Sequence, residues 1–199
     1  MVTNRISLEY KYPSFTEEVL HTCLEMRKEK GYSIDGNEIE HYYNKLQSIA
    51  TNLSGEMKIT NASAKEVIKK YISSLPYRDR YNLLDVLDYM ESKKKGANCL
   101  GKCVLFATLA EMLDLELFSN LRHVVTPGHS FIRIKGQPDL DIETTLNYEK
   151  MEIESKGEGA EQDLETLIDY LWISYGKEKE AKKLRDKLLS FLYKILEGK

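Results

Sequence analysis

Apolar residues recur at helical spacing through the N-terminal half of the chain. Phe15, Val19, Cys23 and Leu24 form one stripe before Gly31, behind the capping-box pattern Ser14-Phe15-Thr16-Glu17. Asp35 is placed to cap a second helix, whose stripe is Ile39, Tyr42, Tyr43, Leu46, Ala50 and Leu53 before Gly55. Ser63 with Glu66 makes another capping box, ahead of Val67, Ile68, Tyr71, Ile72 and Leu75, and Pro76 ends that helix. A fourth helix is predicted through Leu83, Leu84, Val86, Leu87 and Met90, stopping near Lys93-Lys94-Lys95-Gly96. The lysines suit a helix C-terminus and Gly96 a left-handed cap.

From Asn98 to Leu115 the pattern changes. Leu100, Cys103, Val104, Leu105, Phe106, Ala107, Leu109, Ala110, Met112 and Leu113 leave almost no polar face, so this helix is expected to be buried around most of its circumference. Short strands are predicted at Leu117–Val125, His129–Ile134 and Leu140–Thr144, with turns at Thr126-Pro127-Gly128 and Lys135-Gly136-Gln137-Pro138. Sheet after buried helix predicts an α+β domain, with Phe131 and Ile142 packed against Phe106, Ala107 and Ala110. The stretch Glu149–Asp169 then carries eight acidic and two basic residues and opens as a loop. Two helices follow, one through Leu164, Leu167, Ile168, Leu171 and Trp172, the other a basic tail with Leu184, Leu188, Phe191, Leu192 and Ile195 on one face. Residues 1–62 thus read as an N-terminal helical segment, 63–147 as the core, and 148–199 as an acidic loop with two C-terminal helices.

Composition narrows the function. The chain has 199 residues, 42% hydrophobic and 31% charged, enough for a buried core. Its net charge of −3 leaves no global footprint for nucleic acid. The most apolar run, Val104 to Phe118, is interrupted by Thr108, Glu111, Asp114 and Glu116, so no membrane partner is expected. The opening Met-Val-Thr-Asn-Arg-Ile lacks the apolar core of a secretory signal, and three cysteines are an odd number. The expectation is a cytoplasmic protein with reduced thiols.

The chemistry-bearing residues cluster in one region. Gly96-Ala97-Asn98-Cys99 leads into the apolar helix, Gly128-His129-Ser130-Phe131 lies on one strand and Asp141-Ile142-Glu143-Thr144-Thr145 on another. A helix N-terminus offers unpaired amides and a partial positive charge, which favour the thiolate of Cys99. A strand histidine can pair with that thiolate and protonate a leaving amine, while a carboxylate orients the imidazole.

Asn98-Cys99-Leu100 opening a helix that continues Leu-Phe-Ala-Thr-Leu-Ala-Glu-Met-Leu-Asp-Leu resembles the transglutaminase-like cysteine hydrolase superfamily. Thr126-Pro127-Gly128-His129 and Ile142-Glu143-Thr144-Thr145 extend the resemblance, which covers about Ala64 to Thr145. It implies a papain-like core, in which a nucleophile helix packs on a small antiparallel sheet. By motif, it makes Cys99 the nucleophile, His129 the base and Glu143 the orienting acid. The implied function is a cysteine-dependent amide hydrolase or acyltransferase acting on a peptide or protein, without cofactor or metal. This chain has Glu-Thr-Thr where the family usually has Asp-Pro-Thr, and Leu100 where the crosslinking enzymes of animals often carry an aromatic residue.

Each role has a rival. Cys103 lies one turn beyond Cys99 on nearly the same face, and Asp141 shares a strand face with Glu143. Cys99, Cys103, His123 and His129 together could form a zinc set. An interaction module that kept the fold without the chemistry is the alternative to an enzyme.

Overall fold

The computed structural model describes residues 14–90, 92–126, 129–142 and 160–197. Helices α1 (Ser14–Glu29), α2 (Glu38–Thr60), α3 (Ala64–Ser73) and α4 (Leu83–Asp88) precede α5 (Cys99–Leu113). After it come a short α6 (Leu115–Ser119), strands β1 (Leu121–Thr126), β2 (His129–Ile134), β3 (Gln137–Ile142) and β4 (Ala160–Gln162), and helix α7 (Thr166–Glu197). The architecture is α+β. Every residue of α5 from Leu100 to Glu111 is buried, as its all-round apolar pattern requires. Helices α1 to α4 and α7 pack against it, and β2 lies on it. Among the described residues no helix is long and apolar enough to cross a membrane.

The sheet is antiparallel, in the order β3-β2-β1-β4. Strands β1 and β2 pair along their full length, from Leu121 opposite Ile134 to Thr126 opposite His129. Successive residues of a strand face opposite ways, so Phe131 and Ile132 cannot both meet the helix. Ile132 and Leu121 share the core cluster with Phe106, Ala107 and Ala110. Phe131, expected in that cluster, is buried but stacks on His129 instead. Ile142 is paired in register with Ile132 through the backbone.

Four further expectations are corrected. Leu117–Ser119 is helical, because the Asp114 carboxylate accepts the Leu117 N–H at 2.9 Å and caps a new turn. Pro138 lies within β3, an edge strand, where a residue without an N–H is tolerated. Helix α2 passes through Gly55 and closes at Asn61 in the left-handed conformation (φ 56°). The two predicted C-terminal helices are one, with Gly176 in its interior. A helical glycine costs about 1 kcal/mol relative to alanine. Contacts on both sides of it hold α7 to α1: Tyr175 Oη donates to Glu29 at 3.0 Å, Lys179 Nζ to Glu29 at 3.1 Å, and Lys30 Nζ to Glu178 at 3.0 Å.

Two buried polar groups tie the helices together. Arg27 of α1 donates to Asp85 and Asp88 at 2.6 and 2.7 Å and to Tyr42 of α2 at 2.5 Å, joining three helices at one guanidinium. Glu111, near the end of α5, caps α1 from a distance. Its carboxylate accepts from the Phe15 N–H at 3.0 Å, the Thr16 N–H at 2.8 Å and the Thr16 hydroxyl at 2.6 Å. First-turn amides have no partner inside their own helix, so this acid satisfies donors that would otherwise be buried unpaired.

Glu111→Ala should therefore destabilise the fold by about 3 kcal/mol, and Glu111→Gln by less because one acceptor oxygen remains. Urea unfolding should show a lower midpoint at unchanged slope.

Candidate active site

The first turn of α5 is set by its neighbours in space more than by its own sequence. Asn98 adopts an extended conformation, and its side-chain oxygen accepts the Gly101 N–H at 2.9 Å. The 76–81 segment runs beside it: Ala97 N–H donates to Pro76 O at 3.3 Å, Arg78 N–H to Ala97 O at 3.2 Å and Asn98 N–H to Arg80 O at 3.0 Å. Such an approach leaves no space for side chains. A Cβ on Gly96, at φ 133°, would run into the Pro76 carbonyl oxygen, and one on Gly101 would lie 2.5 Å from Arg80 O. The expected role of Gly96 as a helix cap is thus corrected: α4 has already ended at Asp88, and this glycine admits a crossing strand of backbone.

Cys99, held at this terminus, is half-buried, whereas Cys23 and Cys103 are buried. Burial pushes the Cys99 thiol upward. Hydrogen bonds with the His129 side chain and the Ser130 backbone, the imidazole's charge and a hydrogen bond with the Leu100 backbone outweigh it, so the thiol titrates below its ordinary value. Cys23 shows the opposite balance. Burial dominates there and drives its pKa up to about 12.

His129 reaches Cys99 from the first residue of β2. Its ring stacks on Phe131 with centroids 5.8 Å apart, and the Arg133 guanidinium lies 5.6 Å from the centre of the Phe131 ring. Residues 129, 131 and 133 share one face of the strand, so Phe131 stands between the imidazole and the guanidinium and limits the ring's rotation. Arg133 also comes within 3.5 Å of Glu161 of β4, across the sheet. The sequence marks Ser130 and Phe131 only as neighbours of His129 on its strand, because their roles at the site follow from strand register.

Strand β3 is hydrogen-bonded directly to β2, so the backbone at Asp141 lies on the strand beside that of the histidine. Glu143 lies outside the described residues. The zinc set is not assembled. Among the described residues no group of three or more His, Cys, Asp or Glu is close enough to hold a metal ion. His123 faces α7, where its Nδ1 lies 3.0 Å from Thr166 Oγ1 and its ring meets Tyr170 edge-on at 5.2 Å. Because Thr166 Oγ1 donates its proton to Asp163 O at 2.7 Å, His123 Nδ1 is the donor of that pair, and Nε2 is left as a buried lone pair with no hydrogen-bond partner among the described residues.

A residue that motif reading passes over is Lys102, 1% exposed and one turn from Cys99. A lysine is almost never so buried without a partner, and an ammonium near a helix N-terminus works against the helix dipole. Only its position among apolar residues in Gly-Lys-Cys-Val-Leu-Phe could have signalled it.

Comparison of the chain with protein-family models, with curated proteins and with solved structures gives no match.

Iodoacetamide at pH 6 should label Cys99 well ahead of Cys23 and Cys103, as read by peptide mapping. His129→Ala should move the onset of labelling upward by about one pH unit or more, since it removes the hydrogen bond and charge that favour the thiolate. A separate effect is expected from His123. Burial lowers its pKa from 6.5 to about 4. Between those values the unfolded chain binds the proton and the folded one does not, so stability present above pH 6.5 is lost as the pH falls. The loss is on the order of 3 kcal/mol. A His123→Leu variant should show a flatter dependence of unfolding midpoint on pH across this window.

Proposed function

We propose that the protein is a cysteine-dependent amide hydrolase or acyltransferase built on a transglutaminase-like, papain-type core. The observation that carries this reading is a half-buried thiol at the N-terminus of a buried helix, titrating below its ordinary value through a strand histidine. The nucleophile helix on an antiparallel sheet, and an acid-bearing strand hydrogen-bonded to the histidine's strand, support it further.

The Cys99 thiolate attacks the amide carbonyl and the carbonyl π pair moves to oxygen. The oxyanion faces the Cys99 N–H, which has no acceptor within its own helix. His129, carrying the proton taken from the thiol, donates it to the leaving nitrogen as the C–N bond breaks, and a thioester remains. Water or an acceptor amine then gives a proton to His129 and attacks the thioester, and the thiol is restored. Glu143 holds the imidazole in the tautomer that both transfers need. Access distinguishes the two thiols on α5: Cys103 is fully buried and Cys99 is not, which favours Cys99 over its rival.

The test is a screen of peptide amides against the full chain, with intact-mass detection of an acyl adduct. An adduct on Cys99 is expected, with turnover lost in Cys99→Ala. Glu143→Gln should lower kcat by roughly 10²- to 10³-fold while changing Cys99 labelling little. A chain that forms no adduct, and whose Cys99 reacts only above about pH 8, is a non-catalytic interaction module.

A further inference from the structure

A cleft of about 660 Å³ opens beside the N-terminus of α5. It is walled by the 79–82 segment, by Lys30 at the end of α1, by Asn98 and by α7. Asn98, which lines the cleft, immediately precedes Cys99 in the chain, so the cleft adjoins the helix terminus that carries the nucleophile.

The charges in the cleft are unevenly satisfied. Of its three carboxylates, Asp85 accepts from Arg27 at 2.6 and 3.0 Å, and Glu178 accepts from Tyr81 Oη at 2.5 Å and from Lys30 Nζ at 3.0 Å. Both acids, and Lys30 with them, are occupied within the protein. Lys177 and Lys182 make no hydrogen bond or ion pair among the described residues, though the charge of Lys182 is felt at Glu178. Arg80 lies over the Tyr89 ring at 4.3 Å and donates one N–H to Lys94 O at 2.6 Å, which leaves most of its five donors uncommitted. Against these three cations stands the carboxylate of Asp79.

Resting on Cys99 as the nucleophile, we infer that this cleft binds the segment next to the scissile amide and selects polypeptide substrates carrying Asp or Glu there. Carboxylates spaced along a chain match separate cations on facing walls. The lysines and arginine hold them by charge, and Asn98 fixes the register of the peptide against the helix terminus. The preference is expected to be salt-sensitive, because the cations are exposed and screened within about 10 Å at 0.1 M ionic strength.

The experiment uses the full-length Cys99→Ala chain and fluorescence anisotropy of labelled decapeptides of alternating Glu and Gly, with Gln replacing Glu in the control. The acidic peptide should bind tighter than the control, lose affinity as salt rises, and lose roughly tenfold in Lys177→Gln/Lys182→Gln. Equal binding of the two peptides, no effect of the double substitution, or tighter binding of a single-stranded oligothymidylate would overturn the inference. Iodoacetamide labelling of Cys99 in the wild-type chain is run in parallel. Normal labelling with no acidic preference refutes the cleft alone, whereas absent labelling with acidic preference intact refutes the nucleophile and leaves an acidic-peptide site.

Discussion

Covering α5 on every side is the constraint from which the rest of the structure follows. A helix apolar around its whole circumference has no face to give to water, so helices and sheet must surround it. Such enclosure makes the few polar groups on the helix decisive. Glu111 near one end accepts the first amides of α1, and Asn98 at the other accepts the Gly101 N–H. The helix most dependent on burial is thereby bound by hydrogen bonds at both ends, to its own first turn and to the first turn of α1.

Enclosure also prepares the thiol. Removing Cys99 from water raises the energy of its anion, and by itself would silence it as it silences Cys23. What reverses the sign is the same packing. The sheet that covers α5 delivers the His129 imidazole and the Ser130 backbone to the sulfur, while the 76–81 backbone, admitted by Gly96 and Gly101, fixes the first turn. Burial and activation are opposed terms at this atom, and donors aimed at the charge decide the balance.

The two histidines of the hairpin show how far neighbours rather than residue type set a role. His123 and His129 lie on adjacent antiparallel strands. The first donates through Nδ1 to a hydroxyl on α7 and is otherwise enclosed, so burial holds it neutral down to about pH 4. The second meets a thiol whose ionisation it favours.

Much of this was legible in the sequence. Periodicity and the Ser63/Glu66 capping box locate α1 to α5, and the apolar circumference of α5 dictates its burial, because both depend on local spacing and on transfer from water. Cys99 at the start of that helix, with His129 on a following strand, could also be read from local pattern. Tertiary structure alone decided what depends on distant partners. Phe131 stacks on His129 because strand register gives the core-cluster face to Ile132. Helix α7 runs through Gly176 because Glu29 and Lys30 grip it on both sides. Leu117–Ser119 coils because Asp114 caps it, and Glu111 finds its donors 95 residues away in the chain. Local pattern reports what a residue prefers. Which donor meets which acceptor across the fold is settled only when the chain is closed upon itself.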